Sequence, residues 1–152
     1  MPAKIENFMI QRIQTIWLLI ASFAFSVALW PNIFLVRAPN EENSILADGR
    51  IQVWESHVLS SGAVISLVLA VAAIFLYKNR PNQILIASLS ALVQIVLVLL
   101  SAFYTIFKLG KFDQMGLDLG VLSGFCGVFL VWIAARSIRK DEEKVKSMDR
   151  LR

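Results

Sequence analysis

Four stretches of the chain, residues 16–36, 58–77, 84–107 and 119–135, contain no Asp, Glu, Lys, Arg or His and are apolar almost throughout. Charged residues are gathered in the gaps between them. Crossing a hydrocarbon layer roughly 30 Å thick takes about 20 apolar residues at about 1.5 Å of helix per residue. Lipid offers no water to unpaired backbone groups, so each stretch is expected to form a complete α-helix. The fourth is short for this, and its helix is expected to start earlier, near Gly116, and to continue past Ala135. The pattern therefore predicts an all-α membrane protein: a four-transmembrane-helix bundle forming a single domain over residues 1–152, with no internal repeat.

The gaps are of different kinds. Residues 78–82, Lys-Asn-Arg-Pro-Asn, form a tight turn that makes the second and third helices an antiparallel hairpin. Residues 37–57 are too many for a plain turn. Within them Ser44–Ala47 and Arg50–Trp54 flank Asp48-Gly49, a pair suited to the positive backbone angles of a two-residue hairpin turn. A small external β-hairpin is expected there, lying over the bundle or docking a partner. The first stretch, preceded by Lys4 and Arg12, has some look of a cleaved export signal. Its apolar character resumes after Pro31-Asn32 through Ile33–Val36, which is long for such a signal, so a retained first span is expected.

Basic residues set the orientation. Eleven of the fifteen Lys and Arg lie before the first span, in the 78–82 turn and in the tail 136–152; Arg37, Arg50, Lys108 and Lys111 lie on the other side. The positive-inside rule puts the eleven, and both termini, in the cytoplasm. Trp17, Tyr77 and Trp132 then fall at the inner interface and Trp30, Trp54 and Tyr104 at the outer one, where aromatic rings with a polar edge are at home. The tail reads as a cytoplasmic helical extension of the fourth span, with Glu142 and Lys146 one turn apart.

The hydrophobic share of 57% and mean hydropathy of +0.67 agree with this picture. The net charge of +4 is juxtamembrane, which favours lipid headgroups over nucleic acid as its counterpart. One cysteine, Cys126, and one histidine, His57, exclude an internal disulfide and a Cys/His metal cluster. Cys126 reads as a small packing residue inside the fourth span, and His57 as an interface residue at the start of the second. No nucleophile elbow, zinc-protease motif, phosphate loop or pair of intramembrane acids occurs, so neither enzyme activity nor a cofactor is expected.

Helices in lipid associate through small residues and interhelical hydrogen bonds. Gly62, Ser66, Ala70 and Ala73 share one face of the second span, Ala21, Ala24 and Ala28 one face of the first, and Gly116, Gly120, Gly124 and Gly127 one face of the fourth. On the third, Ser90, Gln94, Ser101 and Thr105 lie within a sector of roughly 60°. Gln94, near mid-bilayer, is expected to face protein and bond to a serine or a carbonyl. Helix-packing roles are assigned to Gly62, Ser66, Ala70, Gln94, Gly120, Gly124 and Gly127. Contact with lipid or a partner is assigned to Arg12, Arg136, Arg139 and Lys140.

Both ends of the chain also carry recognisable runs. Met9-Ile10-Gln11-Arg12-Ile13-Gln14-Thr15 leads into the first span, and Ala135-Arg136-Ser137-Ile138-Arg139-Lys140-Asp141-Glu142-Glu143 leaves the fourth, before a closing Asp149-Arg150-Leu151-Arg152. Together these resemble an uncharacterised membrane family of Bacteroidota, domain of unknown function 4293, with residues 1–8 as an extension before its usual start. The resemblance implies a four-helix protein of a Gram-negative inner membrane and brings no activity. It also draws attention to the ends, where Arg12 and the Asp141-Glu142-Glu143 run are placed to pair. The functional expectation is a non-catalytic accessory, assembly or scaffold subunit with a membrane-protein partner or further copies of itself. The alternative is a small oligomeric transporter or channel using the polar stripe of the third helix.

Overall fold

In a computed structural model the backbone is described for residues 2–37, 49–109 and 116–149, and side chains for 14–37, 49–107, 116–143 and 147. The elements are α1 (Pro2–Val27), β1 (Phe34–Arg37), β2 (Arg50–Gln52), a 3₁₀ turn (Val53–Glu55), α2 (His57–Phe75), α3 (Arg80–Leu109), β3 (Gly116–Leu117) and α4 (Leu119–Asp149). The four helices form a closed ring in chain order, each packed on the next and α4 on α1. A small sheet of strand order β2-β1-β3 covers one end; α1 begins and α4 finishes at the other, the tail end.

Among the described residues three helical segments are long and apolar enough to cross a membrane: His57–Phe75, Arg80–Phe107 and Leu119–Glu143, with mean hydropathies of 2.5, 2.6 and 1.8. Helix α1 holds a shorter apolar stretch, Gln14–Val27. The size gradient across the ring is compatible with a bundle in lipid. Small residues fill the interior, with Ala21, Ala63, Ala70, Ala73, Ala87 and Ala134 at zero exposure, while Phe23, Val68, Phe75, Leu99, Phe103 and Phe129 point outward. In water that outer belt would be an aggregation surface; in hydrocarbon it costs nothing, and close backbone approach inside supplies the packing.

The first stretch departs from expectation. Its helix stops at Val27 rather than Val36. The amides of Leu29, Trp30 and Ile33 donate three residues back, to Ser26, Val27 and Trp30. Asn32 sits at φ 65°. Proline fixes the second position of the Trp30–Ile33 turn, and asparagine tolerates the left-handed third. The apolar run after this turn is therefore the central strand β1, not the end of a span. Leu35 and Val36, on the strand between β2 and β3, are at zero exposure and join Ile51, Val53, Leu59, Ala63, Leu97, Val98 and Val121 in one apolar cluster at the sheet end.

The outer loop is corrected in the same way. Arg50–Gln52 is a strand, but β1 is its antiparallel partner, with Phe34 opposite Gln52, Val36 opposite Ile51 and an irregularity between them. On its other edge β1 pairs with β3, Val36 opposite Leu117. Gly49 has the positive φ, 71°, that its turn position asked for; the expected first hairpin strand, Ser44–Ala47, lies outside the described residues. Gly116 belongs to β3 and not to the glycine face of α4, which begins at Leu119.

At the tail end, the Asn79 side chain accepts from the amide of Asn82 at 3.4 Å and its carbonyl from Gln83 at 2.9 Å, which starts α3 directly after the turn. Helix α4 continues unbroken to Asp149.

Candidate functional site

Three glycines of α4 let neighbouring elements approach it closely. A Cβ at Gly120 would lie 2.7 Å from the backbone oxygen of Phe34, so only glycine lets the first turn of α4 rest on β1. One turn on, a Cβ at Gly124 would lie 2.6 Å from the amide nitrogen of Gln94 on α3. At Gly127 it would lie 2.4 Å from Cε1 of Phe25 and 3.3 Å from the backbone oxygen of Ala21, both on α1. Gly62 is looser, its nearest contact being Leu97 Cδ1 at 3.4 Å. The Gly120–Gly124–Gly127 face thus touches sheet, α3 and α1 in succession. Ser66 and Ala70 lie fully buried on the inner face of α2.

Between the sheet-end cluster and a second apolar cluster, which includes Leu18, Phe25, Ala70, Ala87, Val131 and Ala134, lies a polar layer. Ser66 and Gln94 are at zero exposure, and the Ser66 hydroxyl is 2.9 Å from both Gln94 Oε1 and the Ala63 carbonyl. Gln94 Nε2 has no acceptor in this arrangement. A hydroxyl has one proton to give. A half-turn of the amide lets Nε2 donate to Ser66 and Ser66 to Ala63, with the amide oxygen facing the Cα–H of Gly124, a weak bond common between close helices. The rest of the α3 stripe is used locally: Ser90, Ser101 and Thr105 are buried and donate to the carbonyls of Ala87, Val98 and Ser101 at 2.7–2.8 Å.

At the sheet end Arg37 Nε donates to Asp118 Oδ2 at 2.5 Å, while Asp118 Oδ1 accepts from the amide of Leu119 at 2.8 Å. The Asp118 carbonyl accepts from Val121 and Leu122, so this residue caps α4. The hydrogen bond from Arg37 is the main cause holding the Asp118 carboxyl below its usual range, burial opposes it, and the Leu119 amide adds to the lowering. A depressed pKa contributes stability above the unfolded value and loses it as pH falls through the folded one. Acid unfolding in detergent is therefore expected to have a component below the ordinary carboxylate range that Asp118→Asn removes. Asp118→Ala, which also loses the cap, is expected to cost about 1 kcal/mol at neutral pH. An acid profile unchanged by Asp118→Asn would refute this.

At the tail end Gln14 of α1 donates to Asp141 of α4, joining the two helices at the ends of their apolar stretches, with Ile138 fully buried one turn before Asp141. The backbone of Arg12 lies in α1; its side chain, and hence its pairing with the acidic run, lies outside the described residues. Arg136, Arg139 and Lys140 are exposed, and the Arg136 guanidinium lies 5.5 Å from the Trp132 ring centre. Cys126 is exposed on the outer face of α4 and not packed inside, because it stands about 100° around the helix from Gly127. Among the described residues no group of three His, Cys, Asp or Glu is placed to hold a metal ion.

Two of these contacts were missed in the sequence. Asp118 immediately before an apolar helical run is a cap signal, but its partner Arg37 lies far away in the chain. The Gln14–Asp141 contact joins residues far apart in the chain and had no local mark. No curated protein and no solved structure shows significant similarity to the chain. Residues 10–151 match the family described as "Domain of unknown function (DUF4293)", a span that starts inside the first terminal run and reaches into the last, and the chain belongs to that family.

Proposed function

We propose that the chain crosses a bacterial inner membrane four times, with both ends in the cytoplasm, and serves there as a non-catalytic accessory, assembly or scaffold subunit of a membrane complex. The observation that carries this reading is where the polar groups are used. Inside the ring they are consumed by one another or by their own helix. At the tail end, where α1 and α4 are joined by Gln14 and Asp141, the exposed Arg136, Arg139 and Lys140 are presented to other molecules. Helix α1 serves as the first span in this reading: Ile16, Leu19, Ile20 and Phe23 face outward over its apolar stretch, and the Ala28–Trp30 segment supplies the remaining depth. The buried, internally bonded stripe of α3 speaks against the transporter alternative, since conduction needs groups free to replace water around a solute.

Extraction from native membranes at natural expression in a gentle detergent, followed by sizing, is expected to give a particle larger than one chain. A clean monomer overturns the subunit reading. Sidedness is tested with Ser147→Cys in a Cys126→Ser background. An impermeant maleimide is expected to label it only after the cytoplasmic face is opened, and labelling of intact cells overturns the orientation.

A further inference from the structure

A groove of about 1000 Å³ runs lengthwise between α3 and α4 on the outside of the ring, at the tail end. Its floor and walls are apolar, formed by Leu92 and Ile95 of α3 and Val128 and Val131 of α4. At its mouth stand Arg136, Arg139 and Lys140, with Glu143 the one acid in the lining. Trp132 separates the two regions. Its ring stacks on Phe129, with centres 5.9 Å apart, and lies beneath the Arg136 guanidinium. Three cations against one carboxylate leave the mouth positive, while apart from Ser88 the rest of the groove is lined by apolar side chains.

The dimensions match one leaflet. From Val128 to Arg136 the α4 axis rises about 12 Å, and half of a hydrocarbon core roughly 30 Å thick is about 15 Å. Cations are thereby set at headgroup depth above a slot at acyl-chain depth, with a tryptophan at the boundary where indoles settle. A soluble anion would use the mouth and leave the slot empty; a zwitterionic lipid would fill the slot and leave the excess positive charge uncompensated. We propose that this groove is a binding site for a single anionic phospholipid, its phosphate held by Arg136, Arg139 and Lys140 and an acyl chain lying between α3 and α4. The proposal rests on the membrane-embedded reading above and deepens it: the chain selects the lipid at its tail end.

Native mass spectrometry of the full chain in mild detergent tests this, titrating phosphatidylglycerol against phosphatidylcholine with the same acyl chains. One phosphatidylglycerol is expected to bind in preference. A basic residue near a phosphate layer contributes about 1 kcal/mol, or about fivefold in affinity. Arg139→Gln with Lys140→Gln is therefore expected to weaken phosphatidylglycerol binding by roughly 25-fold and leave phosphatidylcholine unaffected. Leu92→Trp, which fills the slot from an exposed position without changing charge, is expected to weaken both. Equal binding of the two lipids by the unmodified chain overturns the proposal. So does retention of phosphatidylglycerol by Leu92→Trp, which would reduce the contact to surface attraction. Alkaline carbonate washing of native membranes tests the embedding separately: release of the chain sinks that reading, whereas a retained chain without lipid preference sinks only the site.

Discussion

Valine in place of Gly127 is expected to destabilise the folded bundle by about 3 kcal/mol, the upper end of what overpacking costs. Even the first added carbon meets the Phe25 ring at 2.4 Å, and Phe25 is at zero exposure with no space to retreat into. The backbone oxygen of Ala21 closes the other side at 3.3 Å. The valine methyls would have to push α1 and α4 apart along their length, loosening the Gln14–Asp141 junction at the tail end as well. Gly62→Ala is the matched control. Its nearest neighbour is a leucine methyl at 3.4 Å, an ordinary contact, so it is expected to fall within about 0.5 kcal/mol of the parent. Reversible unfolding in mixed micelles reads both. Equal stability of the two variants would mean that the α1–α4 contact does not hold the fold together.

The second large effect is expected at Gln94, and it separates packing from hydrogen bonding. Gln94→Ala removes a fully buried side chain from between Ser66 and Gly124 and leaves a void, at a cost of about 2 kcal/mol. Gln94→Met keeps the volume and flexibility and loses only the bond to Ser66. Interhelical hydrogen bonds in membranes average about 0.6 kcal/mol, so Gln94→Met is expected to cost less than about 1 kcal/mol. The Ser66 hydroxyl still has the Ala63 carbonyl to donate to, which keeps that cost low. A methionine variant as damaged as the alanine one would show that the amide stabilises by bonding rather than by filling space.

The helices were legible because lipid imposes a simple rule, a charge-free length, and α2, α3 and α4 obey it. So was the inner face of α3, since Ser90, Gln94, Ser101 and Thr105 recur at helical spacing and all four are buried. The sheet was less so. Ile33-Phe34-Leu35-Val36 is apolar on both faces, and so short a run fits a buried strand or the end of a helix equally well. The turn chemistry of Pro31-Asn32 is the deciding signal, and hydropathy alone hides it. The partners of β1 lie in distant parts of the chain, and a strand as short as Gly116–Leu117 carries no periodicity to recognise. The Arg37–Asp118 pair depends on that same sheet. The groove between α3 and α4 was half visible: Arg136, Arg139 and Lys140 were marked for lipid contact, but the slot beneath them exists only once the two helices are placed side by side.

The late arrival of β3 bears on how the protein is made. β1 is complete at Arg37, and β3 begins at Gly116, after two intervening helices. At about 5–20 residues per second, the 79 residues added from Arg37 to reach Gly116 (116 − 37) take roughly 4–16 s to synthesise. Throughout that interval β1 has one edge without its mate, and an open edge is a template for foreign strands. The nascent chain on the ribosome, rather than the finished protein, is thus the form most exposed to mispairing.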